Sequence, residues 1–415
     1  MLPGACADCD RSRSQNPVSI NADRVPVCCR WGFALLQRYR DYLKIKTLEK
    51  LAALEIWNSL MLTEAQVLQS VQKLQDPEIG RSFGDLEMLK GATVTGNRVT
   101  VNIELPTPAY PKRDRIVDAV RDAVRQADPS VETVSVNFTA VVRGSMSGGA
   151  IGLRAKNVIA VGSGKGGVGK STVASTLAFG LKSLGCKVGL MDADVYGPSI
   201  PHMVGSIGRP AAMKVTTESG EEIERIVPVE VDGLKVISMG YFVKPDQAVI
   251  WRGPLLHRAI TQFLKDTDWG ELDYLIIDLP PGTGDISLTL SQMVGLAGAV
   301  VVCTPQQVAL LDAIKAISMF NQVKIPLLGI VENMSGEIFG RGGAKAKAEE
   351  LKIPFLGELP IEAGIRVHGD AGKIGSLFDE DNPSRLPLIH ICEQVAIQVA
   401  KQLLVAPKLP TLEIL

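Results

Sequence analysis

The chain has 415 residues, 46% of them hydrophobic and 21% charged, and its 44 Lys and Arg against 45 Asp and Glu leave a formal net charge of −1. At roughly 150 residues per domain this length predicts two or three domains with apolar material for an ordinary globular core. The charge balance argues against a general nucleic-acid binder, and no apolar run of about 18 residues predicts a membrane-crossing helix.

Residues 1–60 differ from the rest. Cys6, Cys9, Cys28 and Cys29 account for four of the seven cysteines and lie among arginines. Their spacing fails the zinc templates, and the adjacent pair points awkwardly for one metal. An odd number of cysteines in a long chain fits a reducing cytoplasm better than a disulfide framework. Residues 1–20 hold Asp8, Asp10, Arg11 and Arg13 and no continuous apolar stretch, so they do not read as a secretory signal. Trp31–Trp57 is compatible with a helix but shows no single apolar face. Met61 stands just before the first orderly pattern, so residues 1–60 are either an N-terminal extension or the product of an over-extended start.

A small α+β domain is expected over 61–142. Thr63 and Gln66 form a capping box ahead of Val67, Val71 and Leu74, and Asp76-Pro77 is expected to stop that helix. Gly96-Asn97 joins a strand around 93–95 to the alternating Val99, Val101, Ile103 and Leu105. A helix over Asp114–Ala127 buries Ile116, Val117, Val120 and Val124, and Val134, Val136 and Phe138 alternate again. Residues 143–156 read as a Gly/Ser-rich flexible linker.

From 157 to 405, short apolar runs alternate with helical segments. Val158–Val161, Val188–Met191, Tyr274–Ile277, Ala299–Val302 and Leu327–Val331 read as strands buried on both faces. This predicts an α/β domain with a mainly parallel, doubly wound sheet, closed by a helix near Leu386–Leu404 and followed by the tail 406–415.

The first strand runs into Gly164, Lys165, Gly166, Gly167, Val168, Gly169, Lys170 and Ser171, which satisfy G-x-x-x-x-G-K-[ST] ahead of an apolar helix. Glycines let the backbone wrap a phosphate, and the N–H groups of the helix start point at the anion. Lys170 is expected to neutralise the β- and γ-phosphates of ATP, and Ser171 to ligate Mg²⁺ through its hydroxyl. Asp278, at a strand end, is the candidate for the Mg²⁺ shell, and Asp194 for positioning the attacking water. Asp192 is either functional or an ordinary strand-end acid.

Lys165 to Thr172 resembles the deviant phosphate loop of the dimeric ATPases that include partition proteins, division-site proteins and nitrogenase iron protein. Residues 269–285, Trp-Gly-Glu-Leu-Asp-Tyr-Leu-Ile-Ile-Asp-Leu-Pro-Pro-Gly-Thr-Gly-Asp, are similar to the signature of the Mrp-type ATPases, the iron–sulfur cluster carrier family. Asp194-Val-Tyr-Gly-Pro-Ser-Ile-Pro201, Trp251-Arg-Gly-Pro254 and Val331-Glu-Asn-Met-Ser335 fit the same family, and 61–142 looks like its iron–sulfur assembly domain. The resemblance implies an α/β P-loop NTPase acting as an ATPase and a homodimer in which Lys165 reaches the partner's phosphates. It also implies adenine contact by Asn333, an iron–sulfur cluster as cargo, and apoprotein recipients.

Two departures stand out. The family's Cys-x-x-Cys pair after Glu-Asn-Met-Ser is absent from Asn333 to Gly343, and Tyr110 occupies the small domain's usual cysteine position in Thr107-Pro-Ala-Tyr-Pro111. Cluster ligands are therefore unassigned, because Cys186, Cys303 and Cys392 read as small buried hydrophobes. The four histidines, His202, His257, His368 and His390, share no short spacing. Two functions follow: a cluster carrier driven by ATP, or a nucleotide-gated adaptor that holds no cluster. A partition-type ATPase on DNA or membrane is disfavoured by the charge balance and a weakly basic last helix.

Overall fold

A computed structural model describes residues 38–48, 50, 62–144, 151–216, 222–243, 253–282 and 285–405. The cysteines of 1–60, linker residues 145–150, Trp251-Arg252, Thr283-Gly284 and the tail 406–415 lie outside the described residues. The chain forms two compact units, 1–63 and 64–415. In the first, residues 38–48 are helical.

The second unit begins with α1 (Glu64–Val71), β1 (Leu89–Thr95), β2 (Arg98–Leu105), α2 (Arg113–Ala127) and β3 (Thr133–Ala140). This is the helix–strand–strand–helix–strand order that the residue pattern predicts. β1 and β2 form an antiparallel hairpin closed at Thr95 and Arg98, and β3 runs parallel to β2. Val67 and Val71 of α1 and Ile116, Val120 and Val124 of α2 are buried, while Val117 on α2 is only partly so.

The first helix ends five residues before Asp76-Pro77, contrary to expectation. Phe83 N–H bonds Leu74 O at 2.9 Å, Gly84 N–H bonds Gln72 O at 3.0 Å, and Asp76 N–H bonds Arg81 O at 2.8 Å. That pairing of 72–76 with 81–84 takes backbone groups that a longer helix would use. The Asp76 carboxylate accepts the N–H groups of Glu78 and Ile79, and its other oxygen accepts the Tyr110 hydroxyl at 2.5 Å. Tyr110 is thus a buried structural residue.

The larger sheet has order β13-β12-β11-β4-β10-β5-β9-β8. Its strands are β4 (Ala155–Gly162), β5 (Val188–Asp192), β8 (Val229–Val231), β9 (Leu234–Ser238), β10 (Leu272–Asp278), β11 (Leu296–Cys303), β12 (Leu327–Ser335) and β13 (Phe355–Pro360). β6 (Ala212–Thr216) and β7 (Glu222–Ile226) form a separate hairpin. All neighbours run parallel except β8 on β9. One face is covered by α3 (Lys170–Ser183) and the last helix (Arg385–Val405), and the other by the helices Gly253–Lys265 and Gln307–Gln322. Leu388, Val395 and Val399 of the last helix are buried in that core, so it docks on the sheet.

Arg143 and Gly144 are not part of a flexible linker. Asn157 Nδ2 donates to Arg143 O at 2.9 Å, and the Arg143 guanidinium reaches Leu86 O at 3.1 Å. The three-stranded sheet's Thr107–Pro111 loop packs onto the larger domain. Ala109 shares a core with Cys186 and Tyr274, and the Tyr274 hydroxyl donates to Thr107 Oγ1 at 3.2 Å.

Replacing Tyr110 by Phe leaves a buried Asp76 oxygen without its donor, which costs about 1–3 kcal/mol. The expected outcome is a lower midpoint of chemical denaturation for the full chain, with the nucleotide affinity unchanged.

Candidate functional site

The register of the sheet builds the site. Asp278 at the end of β10 lies beside Asp192 at the end of β5, and Asp192 lies beside Ser238 at the end of β9. Direct neighbours in a parallel ladder point to the same face, so two carboxylates and a hydroxyl form one row at the sheet's carboxyl edge. Val161 of β4 continues that row beside Asp278, and the glycine-rich loop leaves the sheet immediately after it.

The loop needs its glycines sterically. A side chain at Gly164 would put its Cβ 2.0 Å from Asp312 O, on the backbone of the helix Gln307–Gln322. Gly169, with φ of +81°, would put a Cβ 2.1 Å from Asn333 Nδ2. Asn333 is itself buried and donates from Nδ2 to Val168 O at 2.9 Å. It therefore braces the loop from β12, a role its sequence position did not disclose. Ser163 Oγ, bonded to Lys165 O at 2.9 Å, adds a second brace.

Lys170 stands where the loop becomes α3, with 6% of its side chain exposed. Its ammonium lies 2.7 Å from Asp278 Oδ1 and 3.5 Å from Asp194 Oδ2, and it reaches Ser171 Oγ at 3.2 Å. The sequence-predicted residues Lys170, Ser171, Asp194 and Asp278 therefore meet. Lys165 is half-buried and forms no ion pair among the described residues. Asp278 is fully buried, and its Oδ2 has no hydrogen-bond partner among the described residues. Burial raises the Asp278 carboxyl above the ordinary range, against the opposing charge of Lys170.

Asp192 has a definite structural task. Its Oδ1 accepts Asp194 N–H at 3.0 Å, and its Oδ2 accepts the Ser238 hydroxyl at 2.8 Å and Ile200 N–H at 3.4 Å. One carboxylate thus anchors both ends of the loop that carries Asp194. Burial, reinforced by the charge of Asp278, pushes the Asp192 carboxyl up to about 8.

Two adjoining cavities open at this edge. One, of about 410 Å³, is bounded by Lys165, Lys170, Ser171, Asp194, His202 and Pro281. The second, of about 340 Å³, is bounded by Asn333, Met334, Phe339, Pro360, Ile361 and Ile365. Thr172, Met203 and Asp370 border both. Met203, Phe339, Ile361 and Asp370 come from separate segments, and no local motif marks them.

The three described thiols are buried. Burial pushes Cys186 and Cys303 up to about 12, and Cys392 is raised too. Cys186 sits two residues ahead of β5, and Cys303 is the last residue of β11. Among the described residues, no group of three or more His, Cys, Asp and Glu side chains is arranged to hold a metal ion. No described helix is long and apolar enough to cross a membrane.

A carboxyl group raised on folding keeps its proton in the native chain while the unfolded chain has lost it. The unfolding free energy therefore falls as pH rises from the ordinary aspartate value of 3.8 towards about 8. Asp192→Ala is expected to flatten that slope, whatever it does to absolute stability. Thermal unfolding without nucleotide, stepped between pH ~5 and ~9, measures it; an unchanged slope would contradict the assignment.

The family model for the NUBPL iron-transfer P-loop NTPase matches residues 154–396, and that for the iron–sulfur cluster assembly protein matches 64–136. An iron–sulfur cluster carrier protein from Synechocystis is 44% identical over 83% of this chain and 100% of its own length. The iron–sulfur cluster transfer protein NUBPL of Dictyostelium discoideum is 44% identical over 59% of this chain and 77% of its own. A solved nucleotide-binding protein from Archaeoglobus fulgidus, in complex with ADP, is 39% identical with a TM-score of 0.46, covering 55% of this chain and 93% of that one. With the phosphate loop, its strand-end acids and both family models on one chain, this protein belongs to the NUBPL-type iron-transfer P-loop NTPases, the family of the iron–sulfur cluster carriers.

Proposed function

We propose that this chain is an ATP-hydrolysing carrier that receives iron–sulfur clusters and delivers them to apoproteins, working as a homodimer in the cytoplasm. The observation that carries the reading is Lys170, held by buried Asp278 on the wall of the cavity that the glycine loop borders, in a chain of this family. ATP phosphates would draw Lys170 from Asp278, while the loop N–H groups and the start of α3 receive the anion.

Mg²⁺ fits the residues present. Asp278 Oδ2 is buried without a hydrogen-bond partner among the described residues, and Asp278 with the Ser171 hydroxyl offers the hard oxygen donors that the ion prefers. When bound, the ion would neutralise charge on the phosphates. Asp194, fixed through Asp192, is the group that would orient the attacking water. Asn333 keeps its amide oxygen and second N–H for adenine, because only one donor is used on Val168.

The homodimer reading rests on apolar exposure around the same edge. Tyr196 and Ile338 lie on loops, and Leu288, Val308 and Leu311 on the first two turns of helices, that follow strand carboxyl ends; Val308, Leu311 and Ile338 are 67%, 62% and 76% exposed. A second copy seated there would cover them and bring its Lys165 towards these phosphates. A cation acting in trans accelerates hydrolysis ~10³–10⁵-fold, about 4–7 kcal/mol of transition-state stabilisation. Lys165→Ala is therefore expected to abolish most turnover and to leave part of the nucleotide binding; equal loss of both would count against the trans role.

A second reading, an adaptor without a cluster, is favoured by the buried, protonated thiols of the described residues. Anaerobic reconstitution of the full chain with iron and sulfide separates the two. A stoichiometric, oxygen-sensitive cluster that passes to an apoprotein supports the carrier. Its loss on replacing Cys6, Cys9, Cys28 and Cys29 by Ser would place the ligands there, and its retention would direct attention to Cys186, Cys303 and Cys392. No bound iron would leave the adaptor.

A further inference from the structure

The hairpin after β12 has no task in the reading above. Gly336 and Gly340 exchange N–H···O bonds of 2.8 Å in both directions, closing a five-residue turn. Its approach is pinned where Ile361 N–H bonds Ser335 O at 3.0 Å. Its exit is pinned where the buried Glu332 carboxylate accepts Gly342 N–H and Ala344 N–H, each at 2.7 Å. Within this fixed turn Phe339 is half-buried and borders the smaller cavity, whereas its neighbour Ile338 is 76% exposed.

The smaller cavity adjoins the phosphate cavity through Thr172, Met203 and Asp370. A ligand with its phosphates at Lys170 continues into it. Its walls are largely apolar, with Met203, Met334, Pro360 and Ile365, and Phe339 is the one aromatic side chain among the described residues that border it. A flat heteroaromatic base is the part of a nucleotide that such walls suit. An aromatic ring on a preformed turn offers it a face or edge without an ordering cost.

We infer that Phe339 is a nucleobase contact, held in place by the Gly336–Gly340 turn, and that it contributes affinity for the base rather than for the phosphates. The inference rests on the nucleotide reading of the two cavities.

The test is calorimetric binding of ATP, ADP and inorganic triphosphate to the full chain, wild type, Phe339→Ala and Phe339→Leu. Phe339→Ala is expected to weaken ATP and ADP about tenfold, the scale of losing one base–aromatic stack, and to leave inorganic triphosphate unchanged. Phe339→Leu keeps apolar bulk without the ring and guards against collapse of the cavity; it is expected to weaken the nucleotides and spare the triphosphate as well. Unchanged ATP affinity in both variants overturns the inference. Equal weakening of ATP and triphosphate also overturns it, because the ring would then only shape the loop. A wild-type chain that binds neither ligand overturns the nucleotide reading and this contact with it; one that binds triphosphate while ATP is indifferent to Phe339 overturns the contact alone.

Discussion

One ammonium group sets the electrostatics of the nucleotide edge. Lys170 lies among Asp278, Asp194 and, behind them, Asp192, and all four side chains are largely or wholly buried. Three carboxylates cannot all be ionised out of water against a single positive charge. The site resolves the imbalance by raising the proton affinity of Asp192 and Asp278 and by giving Asp192 three hydrogen-bond donors. Lys170 is thereby held on Asp278 at the wall of the cavity that the glycine loop borders.

The parts of this arrangement that were legible in the sequence are those written locally. The glycine loop, the strand ending in Asp278 and the strand ending in Asp192 are contiguous patterns with a strong period. The sheet order was not, because register and adjacency between β10 and β5 arise from packing of segments more than eighty residues apart. β9 and β13 escaped notice for a physical reason. β9 is five residues long and interrupted by Lys235, and β13 is an edge strand carrying Gly357 and ending in Pro360. Asn333 stands in a legible motif, but its bond to Val168 depends on β12 lying next to the loop across the sheet. The early end of α1 was equally hidden, since the backbone of 72–76 chose 81–84 over one more helical turn.

The two ends of β10 do different work. Its carboxyl end supplies Asp278 to the nucleotide edge, while Tyr274, two residues into the strand, donates its hydroxyl to Thr107 of the small sheet's loop. Neighbouring β5 repeats the pattern, with Asp192 at one end and Cys186 just ahead of the other, packed in the same core as Ala109. Two rigid strands therefore join the nucleotide edge to the face on which the small sheet docks. The small sheet is not a tethered module in this state. Its loop is locked by Tyr110 on Asp76, and Arg81 reaches across to Leu404 O of the last helix at 3.1 Å. Any movement of that sheet has to break these contacts.

The position at which relatives of this kind are expected to carry their cysteine pair is instead a closed glycine turn. A metal–sulfur site needs thiolates, and a thiolate needs either solvent or a positive neighbour to exist near neutral pH. Burial holds the protons of Cys186 and Cys303 on, and the nearby charges of Asp273 and Glu332 raise them further; at Cys186 the charge of Lys156 opposes this without reversing it. A cluster bound through them would require the core around β5 and β11 to open. That opening would disturb the strands that hold Asp192 and that pair with β4, the support of the glycine loop. The buried thiols at β5 and β11 are thus part of the support of the glycine loop and of Asp192. Cys392 lies on the last helix rather than in the sheet, and it too is buried with its thiol pKa raised chiefly by that burial.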